Sequence, residues 1–296
     1  MGKAYQLEMK YYIIAGEASG DLHGANLIKA LKQEDPEARF RVWGGDRMQE
    51  AGADLVKHYK HHSFMGFSAV LKNLGAIRSN FRLCRQDIAR YQPDVVIFID
   101  YSGFNLRMAS QTHKMGFRNF YYIAPQVWVW RSNRIKKIRK YIEKTFVILP
   151  FEPEFYQKHH HTVVYEGHPV LDALPRQQLL SRQQLQERFG LADLPLVVLM
   201  PGSRRQEIDS MLPAMAEAAS RFKNLQFVVA AAPALDKELY QQHLNGASIP
   251  LVFDQTYALL QHARAAVVTS GTASLETALL RVPQMVCYKT GTVTYK

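Results

Sequence analysis

The stretch YYIIAGEASGDLHGANL at 11–27 indicates the fold of the first half of the chain. It begins with a short run of aromatic and β-branched residues, passes through a turn of small residues, and continues as a helix predicted at 21–33. A strand that leads through a glycine-rich turn into a helix is the first half of a βαβ unit. The sequence therefore predicts an α/β sheet with this turn at the carboxyl end of its first strand.

The same order of apolar run and helix recurs along the chain. The runs are nearly continuous, which is typical of parallel strands covered on both faces. Strands are predicted in two series, at 11–15, 39–43, 95–99, 119–123 and 145–149, then at 196–200, 226–231, 265–269 and 284–288. Further helices are predicted at 76–90, 207–221 and 273–281. We predict an α/β protein with two Rossmann-like domains.

A polar segment separates the two series. Gly167 and Pro169 interrupt it, and a Gln- and Arg-rich helix is predicted at 176–189. The predicted domains are 9–168 and 169–296. Because ligands of open α/β folds bind outside the carboxyl ends of the strands, two such domains predict a cleft between those edges.

Charge and composition narrow the function. The 296 residues carry 37 Lys and Arg against 26 Asp and Glu, a net charge of +11. Nucleic acid, an anionic membrane surface or a phosphorylated ligand would each explain this excess. No apolar run approaches the ~20 residues that span a bilayer. The two cysteines, Cys84 and Cys287, are far apart, so neither a disulfide framework nor a cysteine-based zinc site is expected.

Polar and aromatic residues follow the predicted strands of the first half. Asp100 comes directly after 95–99, where a carboxylate would face the crevice as a base or would simply cap a loop. Asp94 lies at the start of that strand, where a structural role is the simpler interpretation. Gln126 and Trp128 follow the next strand and suit the wall of a sugar or acyl site, although a buried loop would look the same.

The glycine-rich turn offers a second candidate. Small residues let a ligand approach the helix N-terminus, whose N–H groups favour anions and oxygens. The alternative is an ordinary turn with Ser19 or Asp21 as the helix cap. The turn contains neither a dinucleotide fingerprint nor a Walker A loop.

Two loops of the second half together favour a nucleotide-diphosphate site. PGSRR at 201–205 offers backbone N–H groups and a fixed guanidinium, and TSGTASLE at 269–276 offers further N–H groups and a carboxylate for ribose hydroxyls. Both loops lie between a predicted strand and a helix of the same sheet. The predicted donor-binding residues are Gly202, Ser203, Arg204, Ser270, Gly271, Thr272, Ala273 and Glu276.

Two basic segments bear on the partner. Residues 131–144 hold seven Lys and Arg, with Ile135, Ile138 and Ile142 at helical spacing. Residues 64–85 combine a broad apolar face with basic residues. Each segment suits an anionic membrane surface, and the first also suits nucleic acid. The simpler alternative is a helix that packs its apolar stripe on the core.

Together these motifs resemble those of the lipid-A-disaccharide synthases, inverting glycosyltransferases of the GT-B fold. The matching segments are AGEASGD (15–21), GGDRMQEAG (44–52), MGF (65–67), ID-x-x-x-FN (99–105), IAPQVWVW (123–130), EGHPVLD (166–172), PGSRRQEI (201–208) and TSGTASLE (269–276). The resemblance implies transfer of the sugar of UDP-2,3-diacylglucosamine to 2,3-diacylglucosamine 1-phosphate, with release of UDP. It implies neither a metal nor another cofactor.

One departure concerns the catalytic base. The family commonly reads I-D-x-P-D-F-N, and its second Asp is the favoured base, whereas Ser102 and Gly103 stand here. We predict Asp100 as the substitute, with Glu17 and Asp94 as alternatives. The predicted acceptor-binding residues are Ser19, Asp21, Gln126 and Trp128.

The resemblance also implies a location and partners. It implies a cytoplasmic protein lying on the inner face of the bacterial inner membrane, and it leaves a homodimer open. Nucleic acid is not expected as a partner, because the chain lacks a recognised nucleic-acid-binding motif. Because family members continue beyond residue 296, we expect a truncated and poorly active chain. The alternative function is another GT-B enzyme, such as a UDP-sugar 2-epimerase, which uses similar loops in its second domain.

Overall fold

The computed structural model describes residues 8–61, 74–128, 134–173, 179–233, 235–244 and 246–289. The chain divides into two compact units, Met1–Ala173 and Leu174–Lys296. Each unit is built on its own parallel sheet with helices between the strands, so the predicted α/β fold class is confirmed. Within the described residues, no helix has both the length and the apolar character needed to cross a membrane.

The first unit contains a seven-stranded parallel sheet in the order β3-β2-β1-β4-β5-β6-β7. Its strands are β1 (Lys10–Ala15), β2 (Arg39–Gly44), β3 (Asp54–His58), β4 (Val95–Ile99), β5 (Arg118–Tyr122), β6 (Lys144–Val147) and β7 (Val164–Tyr165). Its helices are Ala18–Glu34, Asp46–Glu50, Leu74–Tyr91, Ser102–Lys114, Arg134–Tyr141, Glu152–Lys158 and Val170–Ala173, with a 3-10 turn at Tyr59–His61.

Both faces of this sheet are covered by apolar side chains. Ile14 and Phe98 lie in one buried cluster, whereas their chain neighbours Ile13 and Ile97 lie in another. Alternate residues of a strand point to opposite faces, so the two clusters lie on the two sides of the sheet. This double coverage is why the strands are continuous apolar runs in the sequence.

The second unit contains a five-stranded parallel sheet in the order β10-β9-β8-β11-β12. Its strands are β8 (Leu196–Met200), β9 (Gln226–Ala231), β10 (Leu251–Phe253), β11 (Ala263–Thr269) and β12 (Gln284–Cys287). Its helices are Arg182–Phe189, Arg205–Ser220, Lys237–Leu244, Thr256–Gln261 and Thr272–Leu279. Strand β8 pairs with β11, so the loops that follow these two strands are neighbours at the carboxyl edge.

Two helical segments test predictions made from the sequence. The helix predicted at 176–189 begins only at Arg182, because the Ser181 hydroxyl accepts from the Gln184 N–H and Gln184 Oε1 accepts from the Ser181 N–H. In the basic segment, Ile135 and Ile138 are buried, which confirms packing of the apolar stripe on the core. The second basic segment was predicted at 64–85, and its first part, residues 64–73, lies outside the described residues.

Candidate active site

The turn after β1 packs against the loop after β4. Glu17 precedes the helix Ala18–Glu34 in an extended conformation, with no side-chain capping bond. Gly16 lies beneath the ring of Tyr101, and a Cβ at position 16 would collide with that ring. The helix begins three residues before the predicted start, so neither Ser19 nor Asp21 caps it.

Asp21 stabilises this turn through hydrogen bonds to the main chain. Its carboxylate is only 3% exposed and accepts from the backbone N–H groups of Gly45 (2.7 Å), Met48 (3.1 Å) and Arg47 (3.2 Å). Burial raises the pKa of the Asp21 carboxyl, and these three amides oppose that rise. The contacts tie the glycine-rich turn to the helix Asp46–Glu50.

The loop after β4 is strained at its first two residues. Asp100 and Tyr101 both have left-handed backbones, with φ of 43° and 44°. Such conformations cost side-chain-bearing residues about 1–3 kcal/mol each and persist only where the surroundings hold them. The Asp100 carbonyl accepts from Asn105 Nδ2 (2.8 Å) and from the Tyr121 hydroxyl (2.6 Å). These contacts fix the main chain from which the exposed Asp100 carboxylate projects.

The predicted carboxylates occupy two edges of the sheet. Glu17 and Asp100 follow β1 and β4, which are neighbouring parallel strands, so both lie at the carboxyl edge. Burial, followed by the charge of Glu17, raises the pKa of the Tyr101 phenol to about 12, which places Glu17 beside Tyr101. Asp94 lies instead at the amino end of β4, where its Oδ2 accepts from the Lys10 N–H at 2.8 Å. The structure therefore does not bring Asp94 to the other two.

Two further groups extend this edge. Arg134 Nη1 donates to the Ser102 hydroxyl at 2.5 Å, at the start of the helix Ser102–Lys114. Trp128 Nε1 donates to Glu152 at 3.3 Å, and both Gln126 and Trp128 are exposed. Ser19 is half-buried in the first turn of its helix.

Sequence reasoning missed several of these side chains. Asn105 is buried and donates to the carbonyl of Ile14, which lies 91 residues away in the chain. It belongs to the ID-x-x-x-FN segment, but the sequence assigned it no role. The available signal was its place five residues after the strand-end Asp100, which is about one turn into the helix that begins at Ser102. Tyr121, Arg134 and Glu152 carry no comparable local signal.

The loop after β8 forms a turn around a carboxylate. Gly202 has φ of 118°, and a Cβ there would collide with Glu207. Glu207 Oε2 accepts from the N–H groups of Ser203 (2.8 Å) and Arg204 (3.2 Å), and its Oε1 accepts from Arg204 Nη1 (3.1 Å). The Ser203 amide, which the sequence assigned to phosphate, and the Arg204 guanidinium, assigned as a fixed cation, are thus both bonded to the carboxylate of the following helix.

The loop after β11 offers an open helix start. Gly271, with φ of 153°, precedes the helix Thr272–Leu279, and no side-chain capping bond is made there. Ser270, Gly271 and Thr272 are exposed, and Ala273 is half-buried. The Ser270 N–H donates to the Cys287 carbonyl at 3.0 Å, so this amide supports the sheet edge.

Glu276 lies one turn into this helix. Its Oε1 accepts from the Tyr257 hydroxyl at 2.7 Å, a partner that the sequence did not indicate. A carboxylate held at one oxygen keeps a fixed orientation, as recognition of a ribose diol requires. Among the described residues, no group of three His, Cys, Asp or Glu is arranged to hold a metal ion.

Solved structures define the class of protein. The chain is similar to the UDP-GlcNAc 2-epimerase from Neisseria meningitidis bound to UDP-GlcNAc, with a TM-score of 0.67 and 12% identity over 95% of this chain and 83% of that chain. It is also similar to CalG4, the calicheamicin glycosyltransferase, with a TM-score of 0.57 and 14% identity over 95% and 80% of the two chains. The predicted GT-B fold is thereby confirmed.

Sequence comparison defines the family within that class. The family described as lipid-A-disaccharide synthetase matches residues 11–296. The lipid-A-disaccharide synthases of Coxiella burnetii (strain Dugway 5J108-111) and Syntrophus aciditrophicus (strain SB) are 38% and 39% identical, each over 96% of this chain and 76% of the relative. The chain belongs to the lipid-A-disaccharide synthase family and is a glycosyltransferase of lipid A biosynthesis. The family resemblance and the enzyme class predicted from the motifs are confirmed.

Proposed function

We propose that the chain joins UDP-2,3-diacylglucosamine to 2,3-diacylglucosamine 1-phosphate, the substrates that its family implies. The acceptor 6-hydroxyl attacks the anomeric carbon of the donor. The bond between that carbon and the diphosphate oxygen breaks, and UDP leaves with the electron pair. A base on the enzyme takes the hydroxyl proton, and a β-1,6 disaccharide results.

Asp100 is the proposed base, and the observation that carries this assignment is the pair of left-handed residues at 100 and 101. Strain of this kind accumulates at functional sites, where the surroundings hold a side chain in place. Here the buried side chains of Asn105 and Tyr121 donate hydrogen bonds to the Asp100 carbonyl, and the Asp100 carboxylate is exposed. Glu17 is the alternative base, because it projects from the same edge beside Tyr101.

The donor diphosphate is proposed to bind at the neighbouring loops after β8 and β11. Gly202, Ser203 and Arg204 form one side, and Glu207 holds that turn in shape through the Ser203 and Arg204 amides. The open start of the helix Thr272–Leu279 supplies N–H groups for negative charge from the other side. The other predicted donor-binding residues lie in this second loop and its helix, with Glu276 proposed to face the ribose: Ser270, Gly271, Thr272, Ala273 and Glu276.

The acceptor is proposed to bind along the carboxyl edge of the first unit. Ser19, Gln126 and Trp128 contact it directly, whereas Asp21 positions the turn through its three amide contacts. Exposed cations on the helix Arg134–Tyr141 support contact with an anionic membrane surface, on the inner face of the bacterial inner membrane. A homodimer remains a prediction from the family resemblance.

Single variants of the three carboxylates test the base. Disaccharide formation is followed by mass with both acyl substrates, and UDP release is measured in parallel. We expect Asp100→Asn to lower kcat by about 10²–10⁴-fold, the usual contribution of a general base. Asp94→Asn should leave kcat unchanged, because Asp94 lies at the opposite edge. Loss of kcat in Glu17→Gln, with Asp100→Asn at the wild-type rate, would transfer the role to Glu17.

A further inference from the structure

Glu152 is a buried carboxylate that joins two loops of the first unit. It is 0% exposed and begins the helix Glu152–Lys158. Its Oε2 accepts from the N–H groups of Ile148 (3.0 Å) and Leu149 (2.9 Å), and its Oε1 accepts from Trp128 Nε1 (3.3 Å). A carboxylate withdrawn from water is tolerated where donors surround it, and here these three do so. The loop after β5 is thereby tied to the loop after β6.

The contacts of Glu152 position an exposed pair of aromatic side chains, Trp128 and Phe151. Trp128 is 37% exposed and Phe151 is 47% exposed. Their ring centroids are 4.9 Å apart with an interplanar angle of 82°, an edge-to-face arrangement. Since β4, β5 and β6 are neighbouring parallel strands, this pair lies at the same edge of the sheet as Asp100.

The polar atom of the indole decides which ligand suits the pair. Trp128 Nε1, the only hydrogen-bond donor on that ring, is already directed at buried Glu152. What remains exposed on Trp128 and Phe151 is therefore hydrocarbon. A sugar hydroxyl gains no hydrogen bond from such a surface, and a long alkyl chain buries more apolar area against it than the C–H face of a sugar ring does.

We propose that Trp128 and Phe151 form the contact surface for an acyl chain of the acceptor, and that Glu152 is the positioning residue that fixes the indole. This inference rests on the proposed function, because it requires the acceptor to lie along the carboxyl edge. Trp128 thereby recognises an acyl chain and not a sugar ring. Phe151 and Glu152 become specificity-determining residues of the same site.

Quenching of tryptophan fluorescence by bromine tests the contact directly. The probe is 2,3-diacylglucosamine 1-phosphate with a bromine atom in its acyl chain, because bromine quenches an indole only at close range. We expect quenching in the wild-type chain and loss of most of it in Trp128→Phe. All variants are made in a Trp130→Phe background, so that Trp128 and Trp43 are the two indoles that emit. Trp43 is 0% exposed and serves as an internal reference that stays unquenched. Phe151→Ala should weaken the Kd of the long-chain ligand about 5–10-fold and leave the Kd of a short-acyl analogue unchanged.

Glu152→Gln tests the positioning role. The glutamine carbonyl still accepts from the Ile148 and Leu149 amides, but its NH₂ faces the indole N–H, donor against donor. We expect the quenching and the long-chain affinity to fall as in Trp128→Phe. In the Trp128→Phe background, Glu152→Gln should add no further loss, since the bond is already absent. Tyr156→Phe, which removes a neighbouring buried hydroxyl, is the matched control and should quench normally.

Several outcomes would overturn the proposal. One is wild-type quenching in Trp128→Phe, and another is equal loss of affinity for short and long acyl chains. Quenching by brominated phospholipid vesicles in the absence of acceptor would assign the pair to the bilayer. Disaccharide formation without acyl quenching would refute this inference alone, whereas quenching without any disaccharide would refute the proposed reaction and leave the acyl contact standing.

Discussion

The proposed catalytic loop of the first unit and the two proposed diphosphate loops of the second unit differ in which residues adopt a positive φ. In the first unit, Asp100 (φ 43°), Tyr101 (φ 44°) and Ile123 (φ 60°) adopt it despite their side chains. In the second unit, the loops after β8 and β11 use Gly202 (φ 118°) and Gly271 (φ 153°). Glycine adopts positive φ at no steric cost, whereas the other residues require support from their surroundings.

This difference matches the chemistry that we propose for each edge. Binding of a diphosphate by backbone N–H groups needs a close approach and no side chain at the turn, so glycine suffices. Proton transfer needs a side chain at a defined point, so strain at Asp100 is retained and buried hydrogen bonds offset it. The contrast holds for these loops and not for whole edges, because Asp254 (φ 57°) after β10 and Gly167 (φ 102°) after β7 depart from it.

Removing the support in the first unit should give the largest effect. Asn105→Ala deletes the amide that donates to the Asp100 carbonyl at 2.8 Å and the Ile99 carbonyl at 3.1 Å. We expect kcat to fall about 10²-fold, the usual consequence of a displacement near 1 Å at a reacting group. Unfolding free energy should fall by about 1–3 kcal/mol, because buried carbonyls lose a partner. Unchanged kcat would show that the loop after β4 holds its shape unaided.

The corresponding change in the second unit is Gly202→Ala. The added Cβ meets both the Cβ and the carboxylate of Glu207, at a φ that alanine adopts only with strain. We expect the turn to relax away from the binding shape, and a cost of about 1–2 kcal/mol to restore that shape on binding raises the Kd for UDP about 5- to 30-fold. Calorimetric titration with UDP measures it, and Gly246→Ala, at a positive-φ glycine outside the site, is the control for backbone strain alone. If Gly202→Ala lowered kcat and left the Kd for UDP unchanged, the proposed division between a binding edge and a catalytic edge would be wrong.

A smaller effect, confined to the first unit, follows from His23. Burial, then the neighbouring His168, lowers the pKa of this imidazole to about 4, against 6.5 in the unfolded chain. A depressed pKa stabilises the fold fully above pH 6.5, and that contribution is lost as the pH falls from 6.5 toward 4. Between pH 7.5 and 5.5 we expect a loss of about 1 kcal/mol that His23→Gln lacks.

Fluorescence makes this measurement specific to the first unit. All three tryptophans lie at or before residue 130, so urea unfolding followed by their emission reports that unit. Subtracting the variant from the wild type removes the contribution of His161, whose pKa burial also lowers. The difference reports His23 together with its coupling to His168. An equal pH response in His23→Gln would mean that the protonation of His23 does not limit the stability of the unit.

The sequence predicted the elements whose stabilising interactions leave a pattern within a few neighbouring residues, and it missed those that depend on residues distant in the chain. Continuous runs such as VVIFI in β4 predicted buried parallel strands, because burial on both faces leaves a signal within five residues. Strand β7 has only two residues, and β3 has a charged residue at its start, so neither carries that signal. These strands are placed by pairing with their neighbours in the sheet.

The candidate site shows the same limit. Strand-end positions such as Asp100 and Gly202 could be identified, because the carboxyl edge of a parallel sheet follows from strand order. The bond from the Arg204 amide to Glu207 could also have been predicted, because a Glu three residues after a helix cap commonly accepts from the N–H of the cap residue. Glu152 and Trp128 meet only after β5 and β6 pair.

The smallest predicted effect tests whether the catalytic edge can accept the carboxylate that the family commonly carries. Gly103 is exposed, and a Cβ there meets nothing within 4 Å, so Gly103→Asp fits without strain. The first turn of the helix Ser102–Lys114 has no acidic residue, and an Asp there should stabilise the fold by about 0.5–1 kcal/mol through the helix dipole. Gly103→Asn has nearly the same shape without the charge, so the difference between the two variants in urea unfolding isolates the contribution of the helix dipole.

The same substitution also tests the position of the base. In the Asp100→Asn background, Gly103→Asp should restore part of the lost kcat if a carboxylate elsewhere on this edge can act as the base. No recovery, together with the expected gain in stability, would show that the strained geometry at Asp100 is specific to that residue.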